Sequence, residues 1–370
     1  MKKVLLVTRP ICPPWDEASK NFAYYLAQNI KNFEVSLLTN RILPGLPENI
    51  HQKPIYTSSG FSYFQKLRLI KHLRKMRNDF DIIHYLFTPT KQNSFLIKKF
   101  AQSKRAKSIQ TIATLREDLF SDADLKSTLF ADLIITYSEY SKNKLEALGF
   151  ENVKRIYPGI DTTLYSPAPK NPEFMKKNKI SPNDFVINFA GEYTRLGAID
   201  DVIDSFVEVS RRIPEVKLSL AVRIKNEKDA QKKKEVMEKL KQNNILNKVF
   251  FHDKESGGEY KMPDIYNLCD VSLFPARDMN GKFDVPLAVI EAMSCEKPVI
   301  ISDLPILQEF ANEQNSVTIK AGDIEKLSEK ILDIYNNKEK YAEIGRNAGK
   351  FVEQNFDIRK VAEKYEEVYQ

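Results

Sequence analysis

Short apolar runs alternate with amphipathic stretches along this chain, and after one interruption the alternation starts again. Runs of this length, closed by polar or turn residues, have the signature of strands buried on both faces. Strands are predicted at 4–8, 34–39, 81–86, 108–113, 133–138 and 153–157, with helical patterns at 17–30, 63–78 and 139–148. A strand, a helix and a further strand in succession build a parallel, doubly wound sheet. The stretch Tyr165-Ser166-Pro167-Ala168-Pro169-Lys170-Asn171-Pro172 has turn chemistry and reads as a linker. Beyond it the pattern resumes, with strands at 185–190, 216–222, 249–252, 271–275 and 299–302 and helices at 199–213, 227–241 and 287–295. The expected architecture is α/β, in two domains, 1–162 and 163–356. A last helix, 357–370, returns to the first domain. Each half of a 370-residue chain is long enough to bury its own core. Two such domains leave a central cleft, where ligands usually bind.

Composition excludes several classes. The apolar run after Met1-Lys2-Lys3 is only Val4-Leu5-Leu6-Val7, too short for a signal peptide, and nothing approaches the roughly 18–20 residues of a membrane span. Cys12, Cys269 and Cys295 show neither disulfide nor zinc spacing, so a cytoplasmic setting is expected. No metal-ligand cluster is visible; Asp122-x-Asp124 lies in a polar stretch without a preceding strand. No G-x-G-x-x-G follows a predicted strand, which disfavours a nicotinamide oxidoreductase. Residues 1–165 hold 25 lysines and arginines against 15 acids, leaving 32 against 35 of the chain's 57 and 50 for the rest. The first half is therefore expected to meet something anionic, for which a membrane surface and a phosphorylated molecule fit equally well. Nucleic acid is not expected, for there is no RNP-type strand, zinc finger or Arg/Gly-rich arm. Within that half, Phe64, Leu67, Ile70, Leu73 and Met76 recur at helical spacing among Lys66, Arg68, Lys71, Arg74, Lys75 and Arg77. Such a helix, 64–77, suits an anionic membrane surface, or packs as an ordinary outer layer.

The stretch richest in chemistry runs Gly281-Lys282-Phe283-Asp284-Val285-Pro286-Leu287-Ala288-Val289-Ile290-Glu291-Ala292-Met293, then Lys297-Pro298-Val299-Ile300. It reads as a loop opening into a helix with Pro286 at its start. The free amides and positive dipole end there, around Val285, Pro286, Leu287 and Ala288, suit a pyrophosphate. Glu291 falls one turn inside, where its carboxylate can accept from ribose hydroxyls, or can simply face solvent.

This stretch resembles the signature of retaining glycosyltransferases of family 4, Glu-x7-Glu followed by Ala-Met and Gly-x-Pro-Val-Ile. Ser138-Glu139-Tyr140-Ser141-Lys142 is similar to the family's Ser-x-x-Ser helix start. Tyr157-Pro158-Gly159-Ile160-Asp161 with Tyr165-Ser166-Pro167 is similar to its crossover, and Asp264-Ile265-Tyr266-Asn267-Leu268-Cys269-Asp270-Val271 to its Leu-Tyr-x-x-Ala-Asp-Val segment. The resemblance implies a GT-B fold, two Rossmann-like domains with parallel sheets facing a central cleft. It further implies a nucleotide-diphosphate sugar as co-substrate without other cofactor, no metal, and transfer with retention to a carbohydrate or lipid-linked hydroxyl.

The resemblance implies that Glu291 binds the ribose. The family's first Glu falls on Phe283, so Asp284 is its expected substitute. The phosphate segment becomes Gly191-Glu192-Tyr193-Thr194-Arg195-Leu196-Gly197: Glu192 stands at the first basic position and the usual Lys is absent. Arg195 and Arg223 are the expected diphosphate cations, with surface salt bridges as their plain alternative. On the acceptor side Trp15, His84 and Arg116 are the candidates, with packing as the plain alternative for Trp15 and a satisfied structural histidine for His84; the loop after the first strand has no glycine. Asp284, Arg195 and His84 are the expected catalytic groups. The departures at Phe283 and Glu192 also support a non-catalytic nucleotide-sugar-binding protein of the same fold; a sugar-nucleotide epimerase is the other rival.

Overall fold

The protein, represented by a computed structural model, is described at residues 1–12, 18–87, 89–253 and 260–370. Its contacts divide it into two units. One comprises Met1–Asp161, Asn280–Val285 and Asn355–Gln370, the other Thr162–Met279 and Pro286–Gln354.

The first unit holds strands β1 (Lys3–Ile11), β2 (Glu34–Thr39), β3 (Ile50–Pro54), β4 (Ile82–Leu86), β5 (Lys107–Ile112), β6 (Leu133–Thr136) and β7 (Val153–Arg155). They form one seven-stranded sheet in the order β3-β2-β1-β4-β5-β6-β7, with every pairing parallel. Helices α1 (Ala18–Asn29), α2 (Tyr63–Met76), α3 (Lys91–Leu96), α4 (Asp122–Thr128) and α5 (Glu139–Ala147) connect them. Strand β3 escapes sequence reading because it is an edge strand with one apolar residue, Ile50, in its first four.

The second unit begins with α6 (Pro172–Lys177) and carries β8 (Phe185–Glu192), β9 (Val216–Arg223), β10 (Val249–Phe251), β11 (Val271–Phe274), β12 (Val299–Ser302) and β13 (Val317–Ile319). Their order is β10-β9-β8-β11-β12-β13, again parallel throughout. Between and after them come α7 (Ala198–Arg212), α8 (Glu227–Gln242), α9 (Met262–Leu268), α10 (Leu287–Ser294), α11 (Pro305–Gln308), α12 (Ile324–Asn336) and α13 (Lys338–Asn355). Helix α7 shows how the sequence builds a layer: Ile199, Val202, Ile203, Phe206 and Val209 recur at helical spacing and are buried in the core with Phe185, Leu218 and Leu220.

The chain then returns to the first unit as α14 (Ile358–Tyr369). Ile160 and Asp357 form a parallel bridge there. Gly159 permits the approach, since a Cβ on it would lie 2.8 Å from the Ile358 Cα. Tyr365 and Tyr369 of α14 are fully buried. No helix among the described residues is long and apolar enough to cross a membrane.

Candidate active site

Parallel α/β sheets bind ligands beyond the carboxyl ends of their strands, where the strand order reverses. In the second unit that edge carries the β8–α7 turn, the end of β9 and the connection from β11 to α10. Pro286 caps α10 without a side-chain bond, and Val289 is the first residue whose amide turns back, to the Pro286 carbonyl at 3.0 Å. The amides of Leu287 and Ala288 therefore lie ahead of the helix's own bonding. Val285 and Pro286 are buried while Leu287 and Ala288 are half-buried.

Glu291 is half-buried as a residue, but its carboxyl is enclosed. The Tyr266 hydroxyl donates to Oε2 at 2.9 Å, and Tyr165 adds a side-chain hydrogen bond. Burial pushes this carboxyl up to about 7, against the two tyrosines, which pull it down. Tyr165 and Tyr266 stand in two of the segments quoted above, and the fold brings them to one carboxylate.

The turn after β8 is held by ion pairs. Glu192, almost buried, lies 2.8 Å from the Lys225 ammonium and 3.4 Å from the Arg195 guanidinium. The acid at the expected basic position is thus matched by two cations from neighbouring positions. Arg223 ends β9 directly opposite Glu192 in register. Gly191 makes room for the Phe189 ring, which a Cβ would meet at 2.5 Å. One residue at this edge was missed by sequence reasoning. Arg277, three residues past β11, binds Asp201 through Nε at 3.1 Å and Nη2 at 2.5 Å. Its position after a strand was visible in the sequence; its neighbours, 76 residues away in Asp201, were not.

Asp284 is corrected from sugar contact to anchor. It is 3% exposed, Ser138 and Ser141 both donate to its Oδ2 at 2.5 Å, and its own amide donates to the Ala113 carbonyl at 2.9 Å. These contacts place Asn280–Val285 in the first unit, although sequence reading had assigned the whole segment to the second domain. Ser138 is also the N-cap of α5, so one hydroxyl network serves a helix start and a loop from the other half of the chain. Phe283 packs edge-on against Tyr137, with ring centroids 6.1 Å apart.

His84 is corrected likewise. It is fully buried, with Nδ1 2.6 Å from the Tyr369 hydroxyl and Nε2 2.7 Å from Thr111 Oγ1. Neither nitrogen is left for an acceptor, and burial lowers its basicity to about 3. The histidine secures α14 to the sheet. Arg116 has a left-handed backbone (φ 55°) and grips Asp118 through two bonds of 2.8 and 2.9 Å, beside Gly281. Trp15 lies outside the described residues.

The first unit has a cavity of about 20 Å³ at its carboxyl edge, lined by Phe22, Leu86, Thr111, Tyr137 and Phe283 among others, room for a single water. A wider hollow of 540 Å³, lined by Lys3, Glu34, His51 and Lys53, lies at the amino ends of β1 and β2, the wrong end of the sheet for a ligand. Asp122 and Asp124 occupy the first turn of α4. Asp124 closes a capping box with Ser121 and pairs with Lys91, and Asp122 pairs with Lys144. Among the described residues no cluster of three or more His, Cys, Asp or Glu could hold a metal.

Comparison with known proteins places this geometry in a family. The model for glycosyl transferases group 1 matches residues 170–351, and the model for glycosyltransferase family 4 matches residues 19–164. Together the two glycosyltransferase matches span most of the chain and support a GT-B group 1 glycosyltransferase. The first match spans nearly all of the unit that carries Glu291 and Arg277. The capsular polysaccharide biosynthesis glycosyltransferase CapM of Staphylococcus aureus is 26% identical over 239 residues, 64% of this chain and 58% of CapM. A glycosyltransferase of Methanocaldococcus jannaschii is 20% identical over 68% of this chain and 62% of its own length. The chain thus spans about three-fifths of these two relatives. Among solved structures, Anabaena HepE in complex with UDP-glucose has a TM-score of 0.79 at 18% identity, covering 100% of this chain and 99% of HepE. Sucrose-phosphate synthase of Thermosynechococcus elongatus has a TM-score of 0.77 at 15% identity, covering 100% and 98%. These likenesses establish the GT-B fold, two α/β domains with parallel sheets.

Proposed function

We propose that this group 1 glycosyltransferase moves a hexose-type sugar from a nucleoside-diphosphate sugar to a hydroxyl of a glycan, lipid-linked or small-molecule acceptor, with retention of configuration. The observation that carries the reading is α10. Its uncommitted first amides stand at the carboxyl edge of the second sheet, and a carboxylate held by two tyrosines follows one turn behind. Such an end stabilises a diphosphate, and the carboxylate is suited to ribose hydroxyls. In this reading Arg195 and Arg223 neutralise the departing diphosphate, so leaving-group charge is met by fixed cations and backbone dipoles. HepE, of the same fold, has been crystallised with UDP and with UDP-glucose, and CapM's name ties a relative to capsular polysaccharide; both support the reading. Retention rests on the resemblance to family 4.

The enzyme works, in this proposal, in the cytoplasm and peripherally on the inner membrane face. A specific observation favours the membrane. Tyr63, Phe64 and Leu67 of α2 are exposed, Phe64 at 79%, on the side that carries Arg68, Lys71, Arg74 and Lys75.

The test is transfer. The protein is offered UDP-, GDP-, ADP- and dTDP-sugars with monosaccharide, glycan and lipid-linked acceptors, with and without EDTA, and products are read by proton NMR. The expected outcome is a glycoside with the donor's anomeric configuration, formed equally in EDTA. An inverted product, or activity that vanishes with chelator and returns with Mn²⁺, contradicts the reading. Nucleotide-sugar binding without turnover supports the non-catalytic rival, and a changed sugar in the recovered donor supports the epimerase.

A further inference from the structure

The second sheet reverses direction between β8 and β11. From β8 the chain steps outward to β9 and β10, then returns to β11 on the other side of β8. The turns that follow β8 and β11 therefore diverge and open a crevice at the carboxyl edge. Two groups meet across it. The Arg277 amide donates to the Leu196 carbonyl at 2.8 Å, joining the two turns. The Arg277 side chain then lies over Gly197, where a Cβ would stand 2.8 Å from its Cδ. Gly197 has φ +64°, so conformation and space both exclude a side chain at this position.

Asp201, in the first turn of α7, fixes the guanidinium. Its side chain is 1% exposed, whereas that of Arg277 is 52% exposed. An ordinary surface ion pair exposes both partners and contributes little. Here the carboxylate is buried and the cation is presented outward. Asp201 takes one N–H from Nε and one from Nη2, and a guanidinium has five. The three that remain, one on Nη2 and two on Nη1, include the end-on Nη1/Nη2 fork, a geometry that matches two phosphate oxygens.

We infer that Arg277, aimed by Asp201 across Gly197, grips the diphosphate of the donor nucleotide. It supplies, from the turn after β11, a cation to a β8 turn that lacks the usual Lys. The pair is formally neutral, so Arg277 contributes directed N–H groups more than net charge. The inference rests on the proposed nucleotide-sugar reading and names a binding residue for it.

Calorimetry with UDP, GDP, ADP and dTDP, and with the four nucleosides, separates the two claims. If wild-type protein binds none of the diphosphates, the nucleotide reading falls and Arg277 falls with it. If it binds one, Arg277→Gln is expected to weaken that diphosphate roughly ten- to a hundredfold, the loss of charge-assisted hydrogen bonds. Arg277→Lys, which keeps the charge without the fork, is expected to lie between. Affinity for the matching nucleoside is expected to stay within about twofold. Diphosphate affinity unchanged in Arg277→Gln overturns the inference. So does an equal loss for nucleoside and diphosphate, which would mark Arg277 as structural. Melting temperatures of the unliganded variants report folding separately.

Discussion

At the scale of single residues, the carboxyl of Glu291 carries the clearest electrostatic signature. Its ordinary value is 4.5 and burial raises it to about 7. Between those values the folded state holds a proton that the unfolded chain has released. Wild-type stability from this group therefore falls as pH rises through the window, and the full penalty persists above it. Glu291→Gln cannot ionise and escapes the penalty. Its melting temperature relative to wild type is expected to be higher at pH 8 than at pH 5, by an amount on the order of 1–3 kcal/mol in stability. A difference that does not change with pH, or changes the other way, contradicts the environment described. The place of Glu291 on α10 was legible in the sequence, because helix-start signals put it one turn past a proline. Its two tyrosines were not, for Tyr165 and Tyr266 come from a linker and from α9. The same limit hid the partners of Asp284 and His84: residue type suggested chemistry, and only tertiary contacts showed that Ser138, Ser141 and Tyr369 occupy those groups.

At the scale of elements, α14 is fixed to the first sheet by close approach at Gly159. Gly159→Ala puts a methyl 2.8 Å from a backbone carbon and 2.5 Å from the Ile358 Cδ1. The backbone can yield only by loosening the helix, so a loss of about 1–3 kcal/mol is expected in thermal or urea unfolding. An unchanged midpoint would mean that α14 docks without this contact. Helix α2 corrects the periodicity reading. Leu69 and Leu73 are buried with Gln65, and Ile70 and Met76 pack partly, but Phe64 and Leu67 face outward. An outward aromatic among cations serves an interfacial helix better than a buried stripe would. Each cation near an anionic bilayer contributes about 1 kcal/mol. Co-sedimentation with phosphatidylserine-containing vesicles is expected at low salt and lost at high salt. It is also lost when Lys66, Arg68, Lys71 and Lys75 are all changed to Gln. Equal sedimentation with neutral vesicles, or none at low salt, leaves α2 as an ordinary outer layer. Long periodic elements such as α7 and the central strands were legible; the edge strands β3 and β13 were too short or too polar to announce themselves.

For the whole molecule, two parallel α/β units follow from a pattern that runs twice, and the family resemblance follows from motifs in fixed order. What the pattern could not give was the path of the chain. Asn280–Val285 leaves the second unit to be anchored by Asp284 in the first, and the chain re-enters the second at Pro286, the cap of α10. The central claim is that the carboxyl edge of the second sheet holds a nucleoside diphosphate. Thermal unfolding with UDP, GDP, ADP and dTDP and their hexose conjugates tests it most directly. A ligand at 100 times its dissociation constant stabilises by about 2.7 kcal/mol. In a unit of this size each kcal/mol raises the midpoint by roughly 2–4 °C. At least one nucleotide is expected to raise the midpoint by several degrees, and Glu291→Ala to remove that shift, each shift being read against the variant's own unliganded midpoint. No shift with any nucleotide at millimolar concentration, or a full shift retained in Glu291→Ala, would contradict the account.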